Sequence, residues 1–172
     1  NKYLGEIDEA EETYNVVGNT NEWQVTIGET TYGGREEMVD STGIIDYGSL
    51  IYIALQRSRS AREAIRVMTS LVEQYGYYSE GETFTICDAD EAWIMEMQGC
   101  GPDRKVSKER TVWVALRIPD DAICAHANQS RIGRFNMKDK KNVLYSKNVV
   151  KYARKMGWYT GKDEDFAWKW TY

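Results

Sequence analysis

The chain has 172 residues, of which 42% are hydrophobic and 28% are charged, and its formal net charge is −5. This length suits one domain with a hydrophobic core, and the composition is ordinary for a globular protein. The acidic balance argues against nucleic-acid binding, because phosphate contacts need concentrated positive charge. No run of about 18 apolar residues is present, so the sequence predicts no transmembrane helix.

The cysteine and histidine content argues against a metal centre. Cys87, Cys100 and Cys124 lack the paired spacing of a disulfide scaffold or a zinc site, and His126 is the only histidine. Nucleotide-binding loops and the Gly-x-Ser-x-Gly elbow are also absent from the sequence. We therefore expect no cofactor. Three unpaired cysteines favour a reducing compartment such as the cytoplasm, whereas export stays open if a leader precedes the chain.

The first regular element is a strand. Residues 24–30 alternate apolar and polar side chains, which predicts a strand with Val25 and Ile27 facing inward. Gly33 and Gly34 follow it and predict a turn, because glycine adopts positive φ without steric cost.

Two helices are predicted between residues 46 and 75, the first over residues 49–56. The second begins after Ser60, which caps it, with Glu63 completing a capping box, and it ends at Gly76. Its apolar face consists of residues at helical spacing: Ala64, Val67, Met68, Leu71, Val72 and Tyr75. We assign this helix pair a structural role, packed against a sheet.

The rest of the chain is predicted to be mainly strands. The period-two segments are residues 83–88, 92–97, 111–117 and 122–125. A helix is expected over residues 146–156. This order predicts the α+β class, with helices covering an antiparallel sheet. Residues 1–172 show no internal repeat or linker, so they are interpreted as a single segment of one domain.

One nucleophile–base pair can be proposed from spacing alone. Cys124 and His126 lie two residues apart, so a strand would place both side chains on the same face. A thiol and an imidazole in this arrangement could act as nucleophile and base. The alternative is that Cys124 is a small buried residue of an apolar strand.

Two asparagines near strand ends are also candidates. Asn21 precedes the first predicted strand, and Asn128 follows the segment 122–125. An asparagine amide can donate to a developing oxyanion, which is worth about 3–4 kcal/mol per donor. Arg131 can hold a peptide carboxylate through two hydrogen bonds. The alternative is that both asparagines are turn residues.

Five segments, in the same order along the chain, resemble the dipeptidase A family. This family includes the secernins and belongs to the N-terminal-nucleophile hydrolases. The segments are residues 20–31, 77–84, 91–96, 117–132 and 161–166. The block Ala-Asn-Gln-x-Arg-Ile at residues 127–132 is the most specific of them, and the block at 20–31 contains the motif Asn-Glu-x-x-Val.

The resemblance implies a four-layer αββα sandwich that hydrolyses short peptides. The nucleophile would be an N-terminal cysteine whose α-amine accepts the proton, since its pKa of about 7.7–8.0 lies near working pH. By similarity to choloylglycine hydrolases and penicillin V acylases, Asn21 would be an oxyanion donor and Asn128 would orient nucleophile and substrate. Arg131 and Trp23 would contact the substrate.

None of the three cysteines stands at the N-terminus. The resemblance therefore implies that the chain is an internal segment, inactive by itself, with the nucleophile strand upstream and further sequence downstream. Sheet edges left open by absent strands are expected to favour self-association, for example as a homo-oligomer. The alternative is a non-catalytic module with the same fold, used for binding or assembly.

Overall fold

The computed structural model describes residues 3–105 and 107–172. One antiparallel sheet contains seven strands, each hydrogen-bonded to the next along the chain. The strands are β1 (Val16–Val17), β2 (Thr20–Asn21), β3 (Thr26–Gly33), β4 (Gly81–Cys87), β5 (Ala92–Gly99), β6 (Thr111–Arg117) and β7 (Val143–Tyr145). The helices are α1 (Tyr47–Gln56), α2 (Ala61–Tyr75), α3 (Val149–Lys155) and α4 (Trp168–Thr171), with short 3₁₀ turns at Glu36–Met38 and Asp163–Asp165. The predicted α+β class is confirmed.

The two faces of the sheet bury different clusters, because successive side chains of a strand point to opposite sides. On the first face, Trp93 and Met95 of β5 pack with α1 and α2. On the second face, Ile94 of β5 and Val114 of β6 pack with α3 and α4. Both faces of β5 are therefore buried. A sheet covered by a helix pair is consistent with one half of an αββα sandwich.

Over β3 and β4, the second face is polar and only partly covered. Thr30 is half-buried and Thr85 is exposed, and the loop that contains His126 lies against both. Strand β3 pairs with β4 from Thr26 opposite Cys87 to Gly33 opposite Gly81. This register brings Thr30 and Thr85 to the same face of adjacent strands.

Helix α2 is delimited as the sequence predicts. The Ser60 hydroxyl accepts a hydrogen bond from the Glu63 amide, and Gly76 ends the helix with φ = 80°. The capping box is shifted by one residue, since the Glu63 carboxylate accepts from the Arg59 amide at 2.8 Å rather than from Ser60. Val25 and Ile27 are fully buried, as expected.

The predicted strand over residues 122–125 is wrong. These residues form an exposed loop in which Ile123 is 98% exposed. The edge of β6 that such a strand would need is occupied by β7, with Val114 opposite Tyr145. A short apolar run forms a strand only where it meets the free hydrogen-bonding groups of a neighbouring strand, and residues 122–125 pair with no strand of this sheet. The predicted helix over 146–156 is confirmed in a shorter form, Val149–Lys155.

Among the helices of residues 3–105 and 107–172, none combines the length and the apolar character needed to cross a bilayer.

Replacing Ser60 with alanine tests the cap of α2. Loss of the hydroxyl leaves the Glu63 amide without its acceptor, so we expect Ser60→Ala to lower the free energy of unfolding by about 1 kcal/mol. Urea denaturation measures this change. Ser70 is exposed inside the same helix, and Ser70→Ala is the matched control. An equal loss in both variants would contradict the capping role.

Candidate active site

The loop of residues 126–131 is held on the second face of the sheet by side chains. His126 contacts two strands at once, with Nδ1 at 2.7 Å from the Thr30 hydroxyl and Nε2 at 2.6 Å from the Thr85 hydroxyl. Burial, and then the positive charge of Arg131, lowers the pKa of His126. The neutral ring offers one donor and one acceptor, so it can satisfy both hydroxyls. His126 therefore links the loop to β3 and β4.

The pairing of Cys124 with His126 is not formed. Both ring nitrogens of His126 are already bonded to threonine hydroxyls, and Cys124 lies in an exposed loop rather than on a strand. Partial desolvation raises the pKa of the Cys124 thiol, although the positive charge of Arg131 opposes the rise. A thiol must lose its proton to act as a nucleophile, so a raised pKa opposes this role. The structure therefore argues against catalysis by this pair.

Glu96 anchors the end of the same loop. Its Oε2 accepts from the Ser130 hydroxyl at 2.5 Å, and its Oε1 accepts from the amides of Arg131 at 2.5 Å and Ile132 at 3.1 Å. Glu96 is fully buried. Burial raises its pKa, although the three hydrogen bonds favour the charged form and oppose the rise.

Sequence reasoning did not single out Glu96. The available signal was one acidic residue between Met95 and Met97, in a strand that is otherwise apolar. A carboxylate in such a strand needs donors from elsewhere in the chain, because burying an unpaired charge is costly. Only the folded loop shows which donors those are.

Asn21 is buried at the other end of β3 and makes four hydrogen bonds. Its Nδ2 donates to the carbonyls of Leu55 and Ser58, both at 2.7 Å. Its Oδ1 accepts from the amides of Trp23 and Val25, both at 3.0 Å. The side chain thus ties the turn before β3 to the end of α1, and both of its N–H groups are in use.

Asn128 is exposed, and its side-chain amide makes fewer hydrogen bonds than that of Asn21. Its Nδ2 donates to the Thr31 carbonyl at 2.7 Å, and its backbone has φ = 50°. No second hydrogen bond of this side chain with a described residue is found, so one N–H and the amide oxygen stay available. The positive φ suits asparagine, which tolerates the left-handed region better than most residues.

The two asparagines lie at opposite ends of β3. Asn21 is next to Thr20, which pairs with Thr26, whereas Asn128 contacts Thr31. Five residues of a strand span roughly 17 Å. The structure therefore does not bring Asn21, the predicted oxyanion donor, together with Asn128, the predicted orienting group, and each proposed role has to be considered separately.

The two predicted substrate contacts are separated in the same way. Trp23 is 47% exposed beside Asn21, where its ring meets Tyr14 edge-on and lies 5.0 Å from the Arg59 guanidinium. Arg131 is exposed near Asn128. Its guanidinium forms none of the ion pairs found within the described part of the chain.

Across residues 3–105 and 107–172, no three histidine, cysteine or acidic side chains converge in a way that could hold a metal ion.

Comparison with known proteins identifies the family. The profile of Peptidase family C69 matches residues 1–172. This chain belongs to peptidase family C69. A probable dipeptidase of Salmonella dublin is 30% identical over 136 aligned residues, and the alignment covers 76% of this chain and 29% of that protein. A probable dipeptidase B of Streptococcus pyogenes serotype M1 is 30% identical over 118 residues, 69% of this chain and 22% of that protein.

A probable dipeptidase of Latilactobacillus sakei is 30% identical over 105 residues, which are 61% of this chain and 20% of that protein. The C69 chain described here thus spans less than a third of the length of these relatives. The resemblance to the dipeptidase A family, inferred from five sequence segments, is confirmed.

Substitution of the two asparagines separates their structural contributions. Asn21→Ala would leave two carbonyls and two amides without partners, so we expect the free energy of unfolding to fall by about 3 kcal/mol. Asn128→Gly keeps the positive φ and removes one exposed hydrogen bond, so we expect a change of less than about 1 kcal/mol. Urea denaturation compares the two. Equal losses would show that Asn21 is not the structural tie inferred here.

Glu96→Gln tests the anchor of the loop. A glutamine side chain cannot accept all three hydrogen bonds, so we expect a loss of about 1–3 kcal/mol in unfolding free energy. Hydrogen exchange of the Arg131 and Ile132 amides should become faster at the same time. Glu164 is exposed, and Glu164→Gln serves as the control. Unchanged exchange of both amides would refute the anchoring role.

Proposed function

We propose that this chain forms part of a cysteine-type N-terminal-nucleophile dipeptidase, which hydrolyses the peptide bond of short peptides. Membership of a peptidase family carries the proposal, and relatives named probable dipeptidases support it. The nucleophile in this proposal is an N-terminal cysteine supplied by sequence outside residues 1–172. Its thiol attacks the carbonyl carbon while its own α-amine accepts the thiol proton.

The cysteines within the chain support an external nucleophile. Desolvation raises the pKa of all three thiols, those of the buried Cys100, the half-buried Cys87 and the more exposed Cys124. A thiol with a raised pKa forms little of the reactive thiolate near neutral pH. An N-terminal cysteine avoids this difficulty, since its α-amine has a pKa of about 7.7–8.0 and can take up the proton.

For the developing oxyanion, Asn128 is the better-placed donor of the two asparagines. One N–H of Asn128 holds the Thr31 carbonyl and the other points to no described acceptor, so the amide is oriented and still available. The Asn21 amide would have to break its hydrogen bond to the carbonyl of Leu55 or of Ser58 before it could donate to a substrate. We therefore propose that Asn128 is the oxyanion donor. Asn21 instead has a structural role, because it stabilises the turn that precedes β3.

Arg131 is proposed to bind the C-terminal carboxylate of the peptide. A guanidinium can hold a carboxylate with two parallel hydrogen bonds, and none of the ion pairs of the described residues uses this one. Trp23 lies beside Asn21, roughly 17 Å along β3 from Asn128. A dipeptide spans only about 7 Å. Trp23 would therefore contact a longer peptide rather than a dipeptide held at Asn128.

The activity experiment uses the complete protein that contains this chain. We expect it to hydrolyse alanyl-alanine, and we expect Asn128→Gly to lower kcat by about 10²–10³-fold with little change in unfolding free energy. Asn136 is another exposed asparagine, and Asn136→Gly is the matched control. Full activity of Asn128→Gly would contradict the oxyanion role.

The same preparation tests the alternative of a non-catalytic module. Determination of the mature N-terminal residue shows whether a cysteine is present there. A mature protein that begins with a residue unable to attack a carbonyl, and that leaves alanyl-alanine intact, would support a role in binding or assembly instead.

A further inference from the structure

The loop of residues 126–131 is attached to the sheet near both of its ends, and Asn128 lies between the two attachments. At the start of the loop, His126 contacts β3 and β4. At its end, the buried Glu96 carboxylate of β5 accepts three hydrogen bonds. Asn128 is two residues from His126, and its side chain makes one hydrogen bond, to the Thr31 carbonyl. The place of Asn128 therefore depends on the attachment at His126.

The attachment at His126 joins two adjacent strands. Its Nδ1 lies 2.7 Å from the Thr30 hydroxyl on β3, and its Nε2 lies 2.6 Å from the Thr85 hydroxyl on β4. Thr85 pairs with Gly28, so Thr30 and Thr85 are diagonal neighbours, and such positions are about 7–8 Å apart. The imidazole ring spans this separation because it has a nitrogen on each side. Two hydrogen bonds on opposite edges of a planar ring fix its orientation as well as its position.

These contacts give His126 a role that involves no proton transfer to the substrate. Both ring nitrogens are bonded to threonine hydroxyls, and the ring is half-buried. A general base needs a free nitrogen within hydrogen-bond reach of the group that loses the proton. His126 could meet this requirement only by giving up one strand, so its geometry suits holding the loop.

We propose that His126 is a positioning residue, whose hydrogen bonds to Thr30 and Thr85 keep Asn128 where it donates to the oxyanion. The inference rests on the proposed dipeptidase function and adds how this site is held together and at which pH its attachment weakens. Glu96 holds the Arg131 end of the loop independently of His126.

Loss of the His126 contacts therefore displaces Asn128 more than Arg131. Asn128 is assigned to the transition state, whereas Arg131 is assigned to the carboxylate of the bound substrate. A variant that loses an interaction made only in the transition state has a lower kcat and an unchanged KM. The same split is expected when His126 no longer holds the loop.

The charged groups around the ring make the attachment sensitive to pH. Burial, and then the positive charge of Arg131 in the same loop, lowers the pKa of His126, whereas Glu29 of β3 opposes the change. The contact from β4 is the uncharged Thr85 hydroxyl, and Glu96 of β5 binds the far end of the loop. Folding of the loop onto the sheet therefore favours the neutral ring.

The direction of the pH effect follows from this preference. In a released loop, water surrounds the imidazole and its pKa returns to about 6.5. The released loop then binds a proton more strongly than the attached loop. Attachment is complete above about pH 6.5 and weakens as the pH falls towards the lowered pKa of the attached ring. Protonation also leaves the ring with two donors and no acceptor, so one threonine hydroxyl has to turn its own proton away.

The first test removes the two hydroxyls in the complete protein and leaves His126 unchanged. Thr30→Val combined with Thr85→Val deletes both contacts and preserves the shape of both side chains. Displacement of a catalytic group by about 1 Å can cost about 10²-fold in rate, so we expect kcat for alanyl-alanine to fall by about 10–10²-fold, with KM nearly unchanged. Circular dichroism checks that the double variant is folded.

The matched control is Thr26→Val. Thr26 lies on the same strand as Thr30, and its hydroxyl bonds to Thr20 at 2.8 Å rather than to the loop. We expect this variant to keep the kcat of the wild type. A wild-type kcat in the double variant, or an equal loss in the control, overturns the proposal.

Conservative replacements of the histidine provide a graded test. An asparagine amide reaches the position of Nδ1 and a glutamine amide that of Nε2, so His126→Asn and His126→Gln each keep one of the two contacts. His126→Ala keeps neither. We expect kcat to be highest in the wild type, intermediate in the two amide variants and lowest in His126→Ala. Equal values in His126→Ala and both amide variants would refute positioning by these hydrogen bonds.

The pH profile separates His126 from the proposed N-terminal amine. Below the amine pKa of about 7.7–8.0, the logarithm of kcat/KM should fall with a slope of about one. At still lower pH, protonation of His126 should steepen the wild-type slope to about two, whereas His126→Gln should keep a slope of about one. A steep limb that persists in His126→Gln, or one that the wild type lacks, contradicts the role of His126.

NMR of the complete protein tests the attachment without any measurement of activity. The ring signals of His126, assigned by their loss in His126→Gln, should titrate below about pH 6.5. Nitrogen-15 relaxation should show the Asn128 amide becoming more mobile over the same pH range. An equally rigid Asn128 throughout this titration refutes the attachment. If both changes occur and the protein cleaves no peptide, the dipeptidase proposal fails while the attachment of the loop by His126 is confirmed.

Discussion

The candidate site depends on the hydrogen bonds that hold an irregular loop against a regular sheet. Among the described residues, 126–131 exchange no backbone hydrogen bonds with the strands. Their position comes instead from His126, which contacts β3 and β4, and from Glu96, which contacts the loop from β5. Because Glu96 is buried, its hydrogen bonds form where water competes poorly. This arrangement gives Asn128 and Arg131 defined places although they lie outside any helix or strand.

Asn21 and Asn128 show how the same residue type takes different roles in different surroundings. Asn21 is enclosed by two carbonyls and two amides, and all four of its hydrogen bonds join the turn before β3 to the end of α1. Asn128 is exposed and makes a single hydrogen bond to the edge of β3. A saturated amide stabilises the fold, whereas an oriented but unsaturated amide can serve a ligand. Similarity of sequence does not distinguish these two situations.

The sequence by itself determined the α+β class, the limits of α2 and the β4–β5 hairpin, because periodicity, the Ser60 cap and the glycine at residue 76 act over a few neighbouring residues. It also determined the family, through ordered segments such as residues 127–132. Only the tertiary structure decided that residues 122–125 form a loop, since β7 had already taken the edge of β6. It likewise decided which polar groups meet Glu96 and His126. Those contacts join residues that are far apart along the chain. Hydrophobic periodicity and capping signals involve only neighbouring residues, so they do not predict such contacts.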